Sequence, residues 1–277
     1  MLLSTSELIK KYGLDAKKSL GQNFILDKNF TDKIAKSIKN INEFEVLEIG
    51  PGPGSLTRSI LDAGVKKLTV IEKDKRCLEA LAELKEFYGD RLEIISADAL
   101  KINELEVFSH VFSRGKKIKI IANLPYNIGT VLLIKWLKIA PKISSLTLML
   151  QKEVVDRIVA KPNTAHYGRL AVMVNYCAQS KMLFTANRSI FTPPPKVTSA
   201  IVEIIPQENL ANIEFEKLEK LVAAAFSQRR KMIKSALKNF IFANCSTVEA
   251  LEKCNIDGNL RAENLMIQQF CELAKIS

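Results

Sequence analysis

The sequence predicts an α/β fold, a mostly parallel sheet with helices on both faces, followed by a small all-α domain. Two patterns carry this reading. Short apolar strand-like runs alternate with helical runs through the first two hundred residues, as they do where crossover helices cover a parallel sheet. After Pro206 the strand patterns stop and only helical periodicity continues. With 277 residues, 47% of them apolar, the chain can bury one large core and a smaller one. The expected division is 1–206 and 207–277.

Strands are expected at 45–49 (EVLEI), 68–72 (LTVIE), 92–95 (LEII), 118–122 (IKIIA), 145–150 (SLTLML), 181–186 (KMLFTA) and 197–205 (VTSAIVEII). Helical patterns lie between the first five. "SLTRSILDAG" stops at Gly64, and "DKRCLEALAELKEF" opens with Asp74 as its N-cap. Only the turn-rich "NRSIFTPPPK" separates the last two strands, which suggests an antiparallel hairpin at the sheet edge. In the second domain, "FEKLEKLVAAAFSQRRKMIKSALKNF" (215–240) reads as helical throughout, and "RAENLMIQQFCELAKI" as a terminal amphipathic helix.

The chain holds 41 Lys/Arg against 30 Asp/Glu, a net charge of +11. Residues 207–277 have ten of these bases and nine of the acids, leaving 31 and 21 for residues 1–206. Such an excess attracts polyanions and says nothing of fold. The five cysteines show no metal-ligand spacing, and there are only two histidines, His110 and His166; no metal is expected. The N-terminus has no apolar run of the secretory kind. The most apolar segment, "VLLIKWLKIA", is short and broken by lysines. The expectation is a cytoplasmic protein with reduced thiols, no membrane contact and, lacking an obvious association helix, a monomeric state.

In an open parallel sheet, ligands sit beyond the carboxyl ends of the strands. The first strand runs into "EIGPGPGSL", where Gly50, Gly52 and Gly54 permit a tight turn and close approach of a ligand. The spacing is G-x-G-x-G with two prolines, not the G-x-G-x-x-G of a pyrophosphate loop. Glu72 ends the second strand, twenty residues after Gly52, where an acid accepts ribose hydroxyls. Asp98, after the third, is placed to accept from an adenine amine or to cap a helix. Acids at consecutive strand ends favour an adenosine ligand without a phosphate demand, and S-adenosylmethionine fits that description.

The fourth strand runs into "IANLPYNIG" (121–129). An exocyclic amine on a purine is a poor nucleophile, because its lone pair is delocalised into the ring. The Asn123 side-chain oxygen and the Leu124 carbonyl can accept its two N–H bonds and turn the lone pair toward an incoming methyl group. Proline fixes the turn, and Tyr126 offers a surface on which a base can stack. No strong base is required, since the methylated ammonium product is itself acidic.

"NLPY" and "EIGPGPGSLT", with "KKSLGQNFILD" (17–27), "VIEKD" (70–74), "FTPPPKVTSAIVEI" (191–204), "FSQRRKMIKSALK" (226–238) and "RAENL" (261–265), make nearly the whole chain resemble the small-subunit ribosomal RNA adenine N6,N6-dimethyltransferases, in particular the bacterial KsgA type. The resemblance implies a Rossmann-like, seven-stranded, S-adenosylmethionine-dependent methyltransferase domain with a small helical RNA-binding domain. It implies that two adjacent adenosines are modified, in a hairpin loop near the 3′ end of small-subunit RNA, during ribosome biogenesis on a pre-30S particle. It adds Asn23 and Ile25 to the cofactor contacts Gly50, Gly52, Glu72, Asp98 and Asn123, and it assigns Phe191 to the second face of the base. Candidates for the RNA backbone are Lys17, Lys18, Arg157, Lys161, Arg169, Arg188, Lys196 and, in the helical stretch "QRRKMIKSALK", Arg229, Arg230, Lys231 and Lys234; there Met232, Ile233, Ala236, Leu237 and Phe240 form one apolar side, and Arg230, Lys234 and Lys238 line another at four-residue spacing. The rival readings are a large-subunit resistance methyltransferase, a non-catalytic RNA chaperone and a nicotinamide oxidoreductase.

Overall fold

The computed structural model describes residues 2–16, 22–207 and 212–277. The strands are β1 Phe24–Ile25, β2 Glu45–Ile49, β3 Lys67–Glu72, β4 Leu92–Ser96, β5 Ile118–Asn123, β6 Ile143–Gln151, β7 Ala178–Ala186, β8 Phe191–Thr192 and β9 Ser199–Pro206. The helices are α1 Thr5–Lys11, α2 Lys28–Lys36, α3 Ser55–Asp62, α4 Lys75–Tyr88, α5 Glu104–Val107, α6 Ser109–Phe112, α7 Gly129–Lys138, α8 Lys152–Ile158, α9 Arg169–Cys177, α10 Phe215–Phe226, α11 Ile233–Ala236, α12 Thr247–Lys253 and α13 Ile267–Lys275.

Seven strands form one sheet in the order β4-β3-β2-β5-β6-β9-β7. All seven match the strand patterns in the sequence. The first five pair in parallel, and β9 runs antiparallel to β6. Val46 through Ile49 of β2 and Ile118 through Ala122 of β5 are buried without interruption, as expected of strands covered on both faces. The chain moves outward from β2 in one direction through β3 and β4, and from β5 in the other through β6. The crevice of an open α/β sheet forms at such a reversal. A separate two-stranded ladder, β1 with β8, places Ile25 opposite Phe191; neither strand was expected from the sequence.

The chain divides into two compact units, 1–155 with 181–205, and 156–180 with 206–277. The segment 156–180 thus packs with the helices, although a cut at 206 assigns it to the sheet. Two buried tyrosines explain this. The Tyr167 hydroxyl donates to the Leu265 carbonyl at 3.1 Å, and that of Tyr176 donates to the carbonyl of Ile213. The five cysteines are unpaired. Among the described residues, no helix is long and apolar enough to cross a membrane.

The helix expected over 215–240 is interrupted. α10 ends at Phe226, residues 227–231 form turns, and only Ile233–Ala236 resume a helix. The break has a tertiary cause. Met232 adopts an extended conformation and bridges Arg261, while the Ile233 N–H donates to the Leu260 carbonyl at 2.6 Å. Arg229, Arg230 and Lys231 therefore occupy a turn, and the four-residue basic stripe through Arg230, Lys234 and Lys238 does not exist as a helix face. Ile233 and Leu237 are buried, but Met232 is exposed. The terminal helix is likewise shorter than expected, because Leu265 and Met266 are extended and the Gln269 side chain accepts from the Met266 N–H at 2.9 Å.

Candidate active site

One cleft lies at the carboxyl ends of β2, β3, β4 and β5. Its wall includes Asn23, Ile25, Gly50, Gly52, Glu72, Asp98, Asn123, Leu124, Tyr126 and Phe191. Every residue assigned to the cofactor or the base thus lines a single space.

The glycine-rich turn is held by the acid that follows it. Glu72 is 6% exposed and accepts three backbone N–H bonds, from Gly52 at 2.9 Å and from Lys73 and Asp74 at 2.8 Å each. Burial raises its pKa, and the three N–H bonds oppose that rise. Glycine is required twice here. A Cβ on Gly52 would come within 3.1 Å of the Phe24 ring, and one on Gly54, where φ is 86°, within 2.3 Å of Leu84. Asp98 accepts from Lys73 Nζ at 2.8 Å and from the Leu100 N–H at 3.0 Å. The Lys73 ammonium and then that N–H hold its carboxyl below the usual range.

Two groups were not foreseen from the sequence. Glu48, on β2, is 1% exposed, lines the cleft and accepts from Thr57 Oγ1 at 2.8 Å. Burial pushes its carboxyl up to about 8, against the Thr57 bond, with Glu72 adding repulsion. Its place at an inner strand position made it resemble one more core residue. Lys135, on α7, clamps the loop that carries Asp98. Its ammonium donates to the carbonyls of Ala99 (3.1 Å) and Ile102 and to Glu104 (2.9 Å), whose Oε1 also accepts from Trp136 Nε1 at 2.8 Å.

On the acceptor side, Asn123 Nδ2 donates to the Asn23 carbonyl at 3.3 Å, which leaves Oδ1 to accept. Leu124 is 1% exposed and lines the cleft. Its N–H donates to the Met149 carbonyl at 3.2 Å. The Pro125 carbonyl is taken up by the N–H groups of Ile128 and Gly129 at the start of α7, so the carbonyl left beside Asn123 is that of Leu124. Tyr126 is half-buried, and its hydroxyl is 2.8 Å from Ser199 Oγ. Burial raises the Tyr126 pKa, and the Ser199 bond opposes that. Phe191 is 3% exposed.

The residues fit S-adenosylmethionine. Three acidic side chains, Glu48, Glu72 and Asp98, line the space; the Asp98 carboxylate, held below the usual range, is the charge complementary to a sulfonium, and all three offer oxygens to adenosine donors. The Gly52 N–H, which a pyrophosphate would need, is already donated to Glu72.

The basic candidates are distributed over both units. In the first, Lys196 is exposed and its carbonyl accepts from Arg188 at 3.0 Å. In the second, Arg229 is held by Glu263 at 2.9 Å and by the Ala165 carbonyl, Arg169 by Glu219 at 2.8 Å, and Lys234 by Asn259 at 2.8 Å. Arg230 and Lys231 are exposed on the turn. Lys17 and Lys18 lie outside the described residues.

The family model for ribosomal RNA adenine dimethylase matches residues 13–277. The chain belongs to that family. Its members are S-adenosylmethionine-dependent methyltransferases. A relative from Brucella anthropi, "Ribosomal RNA small subunit methyltransferase A", is 48% identical over 271 residues, covering 97% of this chain and 94% of its own. Its namesake from Zymomonas mobilis is 46% identical with the same coverage. Among solved structures, a dimethyladenosine transferase from Plasmodium falciparum aligns with a TM-score of 0.76 and 28% identity, over 90% of this chain and 95% of that one. The 23S rRNA methyltransferase ErmE aligns with a TM-score of 0.67 and 25% identity, over 91% and 98%. The fold is thus shared with a dimethyladenosine transferase and with a 23S rRNA methyltransferase.

Proposed function

We propose that this enzyme dimethylates the N6 amines of two adjacent adenosines in a hairpin loop near the 3′ end of small-subunit ribosomal RNA, acting as a cytoplasmic monomer on a pre-30S particle. The observation that carries the chemistry is the orientation of Asn123. With its Nδ2 engaged by the Asn23 carbonyl at 3.3 Å, its Oδ1 is the amide atom left to accept, on the cleft wall that Leu124 also lines. What favours the small subunit is the naming of relatives at 46–48% identity over nearly the full length, against 25% for the large-subunit enzyme.

Bound S-adenosylmethionine supplies an electrophilic methyl group on a sulfonium. Glu72 and Asp98 would hold the ribose and adenine ends of the cofactor, with Asn23, Ile25, Gly50 and Gly52 shaping the pocket. Asn123 Oδ1 and the Leu124 carbonyl accept the two N–H bonds of the target amine in the first transfer, and one of them accepts the single N–H that remains for the second, which draws the lone pair out of conjugation and aims it along the line of attack. Tyr126 and Phe191 take the two faces of the flipped base. The N6 ammonium proton leaves to solvent, and no side chain need act as a strong base. Arg230 and Lys231 present charge to the RNA backbone, with Lys196 and Lys234 as further contacts, while Arg229 serves to fix the turn.

Labelled methyl transfer to under-methylated small subunits, large subunits and naked small-subunit RNA tests the proposal. Two methyl groups on each of two neighbouring adenosines of the small subunit are expected. Preferential labelling of large subunits, or none of any RNA, would remove it.

A further inference from the structure

Residues 126–128 form a turn between β5 and α7, and no regular element sets the two torsions of the tyrosine ring. The ring's hydroxyl is tied at 2.8 Å to Ser199 Oγ, the polar contact that fixes its far end. Ser199 is fully buried at the first position of β9 and is paired with Gln151 of β6, so it is a rigid anchor. The stretch from Phe191 to Ser199 also carries the other aromatic wall. Phe191 is held in the β1–β8 ladder opposite Ile25, and both Phe191 and Tyr126 line the cleft. One nine-residue stretch therefore supplies one ring and tethers the other.

The geometry points to Ser199 as a positioning residue that sets the slot for the target base by fixing the Tyr126 ring relative to Phe191. This rests on the reading of the cleft as an adenine methylation site. Ser199 does not touch substrate; it acts through the tyrosine hydroxyl. It follows that this hydroxyl serves orientation rather than proton transfer, and that removing either partner of the bond should impair the same step.

The test is a double-mutant cycle on methylation of under-methylated small subunits. Ser199→Ala and Tyr126→Phe are each expected to lower kcat/KM by about fivefold to tenfold, the worth of one ordinary hydrogen bond. The double variant should be no worse than either single one. Ser199→Thr, which keeps a hydroxyl, should recover activity, and cofactor affinity measured by calorimetry should be unchanged throughout. Tyr126→Ala, which removes the ring, should lose far more. The thermal midpoint gives a second readout. Tyr126→Phe leaves a buried serine hydroxyl unpaired and should lower it, and adding Ser199→Ala should restore part of the loss. Wild-type kcat/KM in Ser199→Ala, multiplicative losses in the double variant, or a parallel loss of cofactor affinity would each overturn the assignment. If the wild-type enzyme itself transfers no methyl to small subunits, the functional reading fails first and takes this inference with it.

Discussion

The cofactor wall and the acceptor wall of the cleft are built by different means. On the cofactor side, the acid at the end of β3, Glu72, is held by the N–H groups of the next two residues and of Gly52, twenty residues earlier. On the acceptor side, Asn123 is oriented by a carbonyl one hundred residues away in sequence and Tyr126 by a hydroxyl seventy-three residues away. The first wall follows from strand geometry. The second exists only when distant segments are docked. Damage to the first should therefore appear in cofactor affinity and stability, and damage to the second in turnover.

The largest effect should come from the acceptor wall. Asn123→Ala removes the side-chain acceptor for the amine and should lower kcat by about 10²- to 10³-fold, the usual cost of deleting one preorganised polar group from a reacting centre. Circular dichroism should show the fold intact, and cofactor affinity should fall far less than turnover. Near-normal turnover of the purified variant would erase the contrast between the walls. Glu72→Ala should show the opposite pattern. It leaves three backbone donors unmet, so the thermal midpoint should drop, and cofactor affinity by calorimetry should weaken about tenfold or more.

Glu48 sharpens the comparison through pH. An ordinary glutamate titrates at 4.5, and burial pushes Glu48 up to about 8. The folded protein holds this proton more tightly than the unfolded chain does. The contribution to stability is thus complete below pH 4.5 and is lost as pH rises through 8. Without cofactor, the wild type should lose stability relative to Glu48→Gln across that window, at roughly 1 kcal/mol per pH unit in its middle. Parallel stability profiles for the two proteins would show that Glu48 is already ionised. The smallest effect is expected at Lys135. Lys135→Met frees the Ala99–Glu104 loop and should weaken cofactor binding about threefold to tenfold, one or two hydrogen bonds removed from the site, with kcat at saturating cofactor nearly unchanged. A loss confined to kcat would place Lys135 with the acceptor wall instead.

Much of the cofactor wall was legible in the sequence. Gly50, Gly52, Glu72 and Asp98 end or follow consecutive strands whose apolar runs are unmistakable, and strand ends in a parallel sheet share one edge. Asn123, Leu124 and Tyr126 were legible for the same reason. What ties them down was not. Neither the Ser199 tether nor the Asn23 carbonyl has a local signature, and Phe191 was placed by family resemblance rather than by any pattern. Glu48 was hidden because an inward strand position looks the same whether it faces core or cleft. The basic run 227–231 misled in the other direction. Its periodicity is helical, but the chain there turns so that Met232 can bridge Arg261.

The amino-acid order by itself determined the seven sheet strands, the edge of the sheet on which the site lies and the chemical types that line it, because these follow from local periodicity and from which end of a strand a residue occupies. Tertiary structure decided which lone pairs and rings are fixed, which carboxyl burial pushes up in pKa, and where the helix after Phe226 breaks. Each of these depends on burial or on a partner far away in the chain, and neither is encoded in any short window of sequence.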